Sequence, residues 1–122
     1  PPTFGIYLLA LVTRWVKKVG KENLFRQNVE KAAKLYAAID GSGGFFKGTA
    51  VPECRSDMNV TFRTGDADLD AEFIRFAAGR GLMNLKGHKV AGGMRASIYN
   101  AMPMEGVDAL IETIKEFEQK HV

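Results

Sequence analysis

Cations and glycines are concentrated in one short part of the chain, residues 84–97. This part holds His88 and Lys89. The pair Gly92-Gly93 follows, and Arg95 comes two residues after Gly93. Glycine lets the backbone turn sharply or approach a ligand closely, because it has no Cβ atom. The planar guanidinium of an arginine suits a carboxylate, since it can donate two parallel hydrogen bonds. These residue types therefore indicate a site for an anion.

Each of these residues also has an ordinary explanation when it is taken alone. An arginine on the polar face of a strand is more often a solvated surface residue, and a histidine beside a lysine more often belongs to a surface loop. A glycine pair by itself indicates only a turn. Composition and spacing therefore predict an anion site at most, and they do not say which anion.

Alternation of apolar and polar residues predicts the strand that would hold Arg95. Residues 94–99 alternate, which places Arg95 on the polar face of the strand. Residues 58–63 alternate in the same way, and residues 45–51 and 82–85 are further strand candidates. A guanidinium on a strand is held by a rigid element, as a binding residue needs to be.

Apolar residues at helical spacing predict four helices around these strands. Residues 3–20 and residues 22–39 form the first two, and Asp66 and Asp68 are suitable N-caps for a third. Pro103 suits the first turn of the last helix. The order of elements, with hairpin-length connections between strands, predicts an α+β fold: a small antiparallel sheet with helices packed on one face.

The N-terminal half of the first helix is apolar almost all round, which predicts burial against something larger. Its apolar run, residues 4–12, is too short to cross a bilayer and has no basic leader before it. We therefore expect no membrane partner and a cytoplasmic location. Cys54 is the only cysteine, so neither an intrachain disulfide nor a cysteine-based metal site can form, and we expect no metal.

Length and charge narrow the class of protein. A chain of 122 residues with 46% hydrophobic and 25% charged residues is typical of one globular domain. The net charge of +3 would suit either nucleic acid or an anionic metabolite. Because the basic residues are scattered and the sequence lacks exposed aromatic motifs between them, we expect no nucleic-acid partner. A non-catalytic amino-acid or anion-binding module remains an alternative to an enzyme.

Residues 86–103 read Lys-Gly-His-Lys-Val-Ala-Gly-Gly-Met-Arg-Ala-Ser-Ile-Tyr-Asn-Ala-Met-Pro. This segment resembles the C-terminal signature of the phosphoserine aminotransferases. Residues 55–62 resemble the Ser-x-Met-Asn-Val strand of the same family, and residues 1–4 resemble the start of its long helix after the cofactor lysine. The resemblance covers essentially the whole chain.

The resemblance implies a fold-type I enzyme that depends on pyridoxal 5′-phosphate and works as a homodimer. Residues 1–122 would be its C-terminal small domain, with residues 1–20 as the helix that links it to a large domain. The reaction of the family moves an amino group between O-phospho-L-serine and 2-oxoglutarate in serine biosynthesis. In many bacteria the family also acts on 4-phosphohydroxy-L-threonine in pyridoxine biosynthesis.

The resemblance also implies roles for three residues of this chain. Arg95 would bind the α-carboxylate of the substrate, and His88 and Lys89 would contact its phosphate. Many relatives carry arginine in place of Lys89, so we expect looser orientation of the phosphate here. The catalytic lysine and the cofactor-binding groups of the family would lie upstream of Pro1. We therefore expect no catalytic and no cofactor-binding residue in this chain, and no transamination by the chain alone.

Overall fold

The computed structural model describes residues 1–122 as four α-helices and a three-stranded antiparallel sheet. The helices are α1 (Thr3–Val19), α2 (Lys21–Asp40), α3 (Ala67–Ala78) and α4 (Met104–His121). The strands are β1 (Lys47–Gly48), β2 (Asn59–Arg63) and β3 (Met94–Ser97), and Pro52–Cys54 form one turn of 3₁₀ helix. The predicted α+β class is confirmed.

The sheet has the strand order β1-β2-β3, with every neighbouring pair antiparallel. Val60 pairs with Ala96 and Phe62 with Met94, and all four side chains are buried under the helices. The alternate residues of β2 and β3 lie on the opposite face, which we call the open face. It bears five polar side chains: Asn59, Thr61, Arg63, Arg95 and Ser97.

Aromatic rings join the sheet to α3 and α4. Phe46, Phe62, Phe73 and Phe117 are all at most 1% exposed. The ring centroids of Phe73 lie 5.1 Å from those of Phe46 and 5.2 Å from those of Phe117, both in edge-to-face geometry. Each such pair contributes about 0.5–1.5 kcal/mol beyond the free energy gained by burying its apolar area. The face of the sheet opposite the open face is therefore rigidly supported.

Helix α1 is formed as predicted, but none of its residues is buried within this chain. Phe4, Leu9 and Trp15 are 73%, 66% and 39% exposed. Among the helices and strands, only α2 makes extensive contact with this helix. The expectation that it packs against something larger stays a prediction. None of the four helices combines the length and the apolar composition required of a bilayer-spanning segment.

Two predicted strands differ from the structure. Only Lys47–Gly48 of the candidate at residues 45–51 is a strand, because the Ser42 hydroxyl accepts a hydrogen bond from the Phe46 amide at 2.9 Å and holds that part in a turn. The candidate at residues 82–85 is wrong. Asn84 has a φ of 64°, which breaks the extended backbone that a strand requires.

Candidate anion-binding site

Residues 85–95 fold back on themselves, and we call this segment the glycine hairpin. Three main-chain hydrogen bonds join its arms: the amides of Gly87, Gly92 and Arg95 donate to the carbonyls of Gly93, His88 and Leu85 at 2.9, 2.8 and 2.7 Å. An isolated bridge between Lys86 and Met94 lies between the first and last of these bonds. The glycine hairpin therefore extends one end of β3, with residues 88–91 at its tip.

Two glycines are required by this geometry. A Cβ atom on Gly87 would overlap the carbonyl oxygen of Gly92, and one on Gly93 would lie 2.7 Å from the carbonyl oxygen of Phe62. Gly93 also has a φ of 64°, in the left-handed region that a residue with a side chain rarely adopts. The glycines thus allow main chain to approach main chain closely, both within the hairpin and against β2.

Arg95 lies on the open face, directly opposite Thr61 of β2. Its side chain is exposed and forms neither an ion pair nor a hydrogen bond with another residue. It also lines a cavity of about 480 Å³ along the outer edge of β3, together with Asn84, Ser97 and Met102. The guanidinium is therefore on a rigid strand and has all of its donors available.

His88 and Lys89 lie at the tip of the glycine hairpin and are exposed. Nδ1 of His88 accepts a hydrogen bond from the Val90 amide at 3.2 Å. A neutral imidazole in this arrangement carries its proton on Nε2, so the outer nitrogen is a donor, as an anion requires. Lys89 has no acidic partner. Both residues at the tip therefore offer hydrogen-bond donors to solvent.

The three predicted residues share one hairpin but not one cavity. His88 and Lys89 are absent from the lining of the cavity beside Arg95. Gly92, whose amide bonds to the His88 carbonyl, is three residues from Arg95 along the chain. A ligand that bridges them must therefore lie along the hairpin, with one negative group at its base and the other at its tip.

Arg63 was not among the candidates predicted from the sequence. The alternation of residues 58–63 placed it on the polar face, but the pairing of β2 with the glycine hairpin could not be read from the sequence. In the structure, Nη2 of Arg63 donates to the carbonyl of Ala91 at the tip, at 3.3 Å. A Cβ atom on Gly93 would lie 3.2 Å from that of Arg63, so the two residues face each other across the strands.

The open face carries no negative charge from β2 or β3. Asn59 accepts hydrogen bonds from the Ser97 hydroxyl at 3.1 Å and the Tyr99 hydroxyl at 3.4 Å, so its side chain is occupied within the face. The two arginines are the only charged side chains that these two strands present there. Such a surface attracts anions, because no carboxylate compensates the arginines.

Lys31 is a buried lysine in α2, only 2% exposed. Its Nζ donates to the carbonyls of Ile98, Tyr99 and Met102 at 3.2, 2.8 and 3.0 Å. Burial lowers the pKa of Lys31 from its ordinary value. Three acceptors nevertheless require three N–H donors, which only the ammonium form has. Lys31 therefore fixes the turn after β3 and offers no free amine for covalent chemistry.

The class-V aminotransferase family model matches residues 1–110. The chain belongs to this family. It is 49% identical over 122 residues to a phosphoserine aminotransferase of Xanthomonas campestris pv. campestris, with 99% of the chain aligned. It is 48% identical to the phosphoserine aminotransferase of Stenotrophomonas maltophilia strain K279a, again with 99% of the chain aligned.

Solved structures agree with these sequence matches. A phosphoserine aminotransferase from Bacillus circulans subsp. alkalophilus superimposes on 100% of the chain with a TM-score of 0.96 and 42% identity. A PLP-bound phosphoserine aminotransferase from Trichomonas vaginalis superimposes on 94% of the chain with a TM-score of 0.84 and 44% identity. The fold predicted from the resemblance, that of part of a fold-type I aminotransferase, is therefore confirmed.

The chain spans about a third of the length of these relatives, 34% for both bacterial sequences and for the Bacillus structure. The expectation that no residue of this chain binds pyridoxal phosphate stays a prediction. Lys31 is tied to three carbonyls, and no lysine lines the cavity beside Arg95. No group of three or more histidine, cysteine, aspartate or glutamate side chains converges on a point where a metal ion would bind.

Proposed function

We propose that this chain is the C-terminal small domain of a phosphoserine aminotransferase and supplies part of its substrate site. The reaction would transfer an amino group between O-phospho-L-serine and 2-oxoglutarate. The observation that carries the proposal is the placement of Arg95, exposed and unpaired at the base of a glycine hairpin whose tip bears His88 and Lys89. A phosphorylated amino acid has negative groups at its two ends, and the hairpin has donors at both of its ends.

In this proposal Arg95 binds the α-carboxylate of the substrate. Its planar fork matches a carboxylate with two parallel hydrogen bonds, and β3 fixes the direction of the fork. His88 and Lys89 contact the phosphate at the other end, the histidine through Nε2–H and the lysine as a point charge. Because a lysine lacks the fork of an arginine, Lys89 attracts the phosphate without fixing its orientation.

The remainder of the site would come from the rest of the longer enzyme. Pyridoxal 5′-phosphate supplies the electron sink for transamination when it is bound, and the parts that hold it would lie outside this chain. The residues of this chain bind and orient the substrate. We further propose that α1 links this domain to a larger one, which would cover the exposed apolar side chains of α1. The enzyme would be a cytoplasmic homodimer. Its second substrate would be 4-phosphohydroxy-L-threonine.

The replacement Arg95→Ala in the full-length enzyme tests the proposal. We expect kcat/KM for O-phospho-L-serine to fall. The loss should correspond to about 2–4 kcal/mol of transition-state stabilisation, the scale expected when charged hydrogen bonds to the substrate are removed. Arg75→Ala is the matched control, because Arg75 is an exposed arginine on α3 without an ion pair. If the Arg95 variant keeps the efficiency of the Arg75 variant, the role of Arg95 is refuted.

One alternative follows from the uncompensated charge of the open face. A non-catalytic module that binds amino acids or anions would present the same surface. Calorimetry of the 122-residue chain with O-phospho-L-serine, 2-oxoglutarate and inorganic phosphate separates the two functions. The aminotransferase proposal predicts binding weaker than micromolar, since this chain supplies only part of the site. Micromolar affinity for any of the three would favour the module.

A further inference from the structure

Arg63 lies on the open face at the end of β2 next to the glycine hairpin. It is the last residue of β2 and lies opposite Gly93, where the absence of a facing side chain leaves room for a guanidinium. Its Nη2 reaches the Ala91 carbonyl in the tip of the glycine hairpin, 28 residues further along the chain. The remaining donors of this guanidinium have no partner within the chain. Arg63 therefore contacts the segment that bears His88.

The charged side chains next to Arg63 in the sheet are both positive. Arg95 lies on the same face one diagonal step away, a separation of about 7–8 Å between such positions in an antiparallel pair. Lys47 faces Arg63 from β1. The five ion pairs of the structure involve none of these three residues. Like charges repel at this distance, so the arrangement is stabilised when an anion binds between them.

We infer that Arg63 is a specificity-determining residue of the substrate site, which favours a doubly charged phosphate over a singly charged carboxylate. The inference rests on the function proposed above. Arg63 holds the tip of the glycine hairpin through the Ala91 carbonyl, and its charge acts on the phosphate end of the substrate. Lys89 supplies one positive charge there, and Arg63 adds a second one from a strand.

The two amino donors of the proposed reaction differ in the charge of their side chains. A phosphate ester carries about −1.5 to −2 charges at pH 7, whereas the side-chain carboxylate of glutamate carries −1. Both donors share the α-carboxylate that Arg95 binds. A cation at the side-chain end therefore stabilises bound phosphoserine more than bound glutamate, and its removal changes the ratio of the two efficiencies.

The experiment uses the full-length enzyme with the replacements Arg63→Gln and Arg63→Lys. Gln keeps a donor for the hairpin but not the charge, and Lys keeps the charge. In the Gln variant we expect kcat/KM for O-phospho-L-serine to fall about fivefold to tenfold and that for glutamate only about twofold to threefold, because Coulomb energy is proportional to the charge of the ligand. In the Lys variant we expect both efficiencies within about twofold of wild type. Arg75→Gln is the control for net charge.

Each other outcome contradicts the inference. An equal loss for the two donors in the Gln variant would mean that Arg63 only braces the loop, and no loss would mean that it does not act on the site. A Lys variant as impaired as the Gln variant would show that charge is not the property that matters. In all three cases the wild-type enzyme still turns over phosphoserine, so the inference is refuted and the proposed function is not. A wild-type enzyme without that turnover would instead refute the proposed function, and this inference with it.

Discussion

Replacing Lys31 with methionine tests how the turn after β3 is held. Methionine fills the volume of the lysine stem but cannot donate to the carbonyls of Ile98, Tyr99 and Met102. We expect the free energy of unfolding of the 122-residue chain to fall substantially, because the three carbonyls lose their common partner. The buried amine of Lys31 is the only group from α2 that binds main chain at all three positions.

The magnitude follows from the burial of each carbonyl. The hydrogen bond to Ile98 is fully buried, so its carbonyl would be left without a partner at a cost of about 1–3 kcal/mol. The other two bonds are partly buried, and their carbonyls can turn to water at a net loss of about 1 kcal/mol each. The sum is about 3–5 kcal/mol, a large fraction of the 5–15 kcal/mol that is typical of a domain.

Urea denaturation measures this change as a lower midpoint with an unchanged slope. Lys34→Met is the matched control, since Lys34 lies one turn further along α2 and pairs with Asp108 at 2.6 Å on the surface. An exposed pair of this kind contributes about 0–1 kcal/mol. If Lys31→Met destabilises the chain no more than Lys34→Met does, the three carbonyl bonds do not stabilise the turn and the reasoning fails.

Two further predictions concern the hairpin and a surface ion cluster. Gly87→Ala should open the glycine hairpin, because the new Cβ atom overlaps the Gly92 carbonyl. We expect the affinity of the full-length enzyme for phosphoserine to fall at least about tenfold, or about 1.4 kcal/mol. An unchanged affinity would contradict this role of the hairpin. Arg80 and Lys120 lower the pKa of Glu116 to about 2. The stabilisation from this cluster should therefore be complete above about pH 4.5 and lost as the pH falls toward 2, and an ordinary Glu116 midpoint in an NMR titration would contradict it.

The strand that carries Arg95 could be predicted from the sequence, because alternation within residues 94–99 depends only on which side chains the core buries. Helix α3 could be predicted for a similarly local reason. The Asp66 side chain accepts hydrogen bonds from the amides of Asp68 and Leu69, as its cap position indicated. Local patterns thus determined which face Arg95 occupies.

Features that depend on distant pairing could not be predicted. The register that sets Arg63 opposite Gly93 joins parts of the chain about 30 residues apart, and alternation within one strand does not encode it. The carbonyl partners of Lys31 are 67–71 residues away. No local pattern therefore distinguishes the buried Lys31 from the exposed Lys21 and Lys34 of the same helix. The left-handed backbone at Asn84 also has no clear signal in the residues around it.

Main-chain hydrogen bonds, together with the bond from Arg63 to the Ala91 carbonyl, define the shape of the glycine hairpin, and this has a consequence for how specificity can change. The side chains at positions 88–91 take almost no part in the frame, apart from the short contact between His88 and the Val90 amide. Their identities can therefore vary while the frame persists. A library that randomises these four positions and keeps the surrounding glycines would therefore test new donors for an anion at little risk to folding.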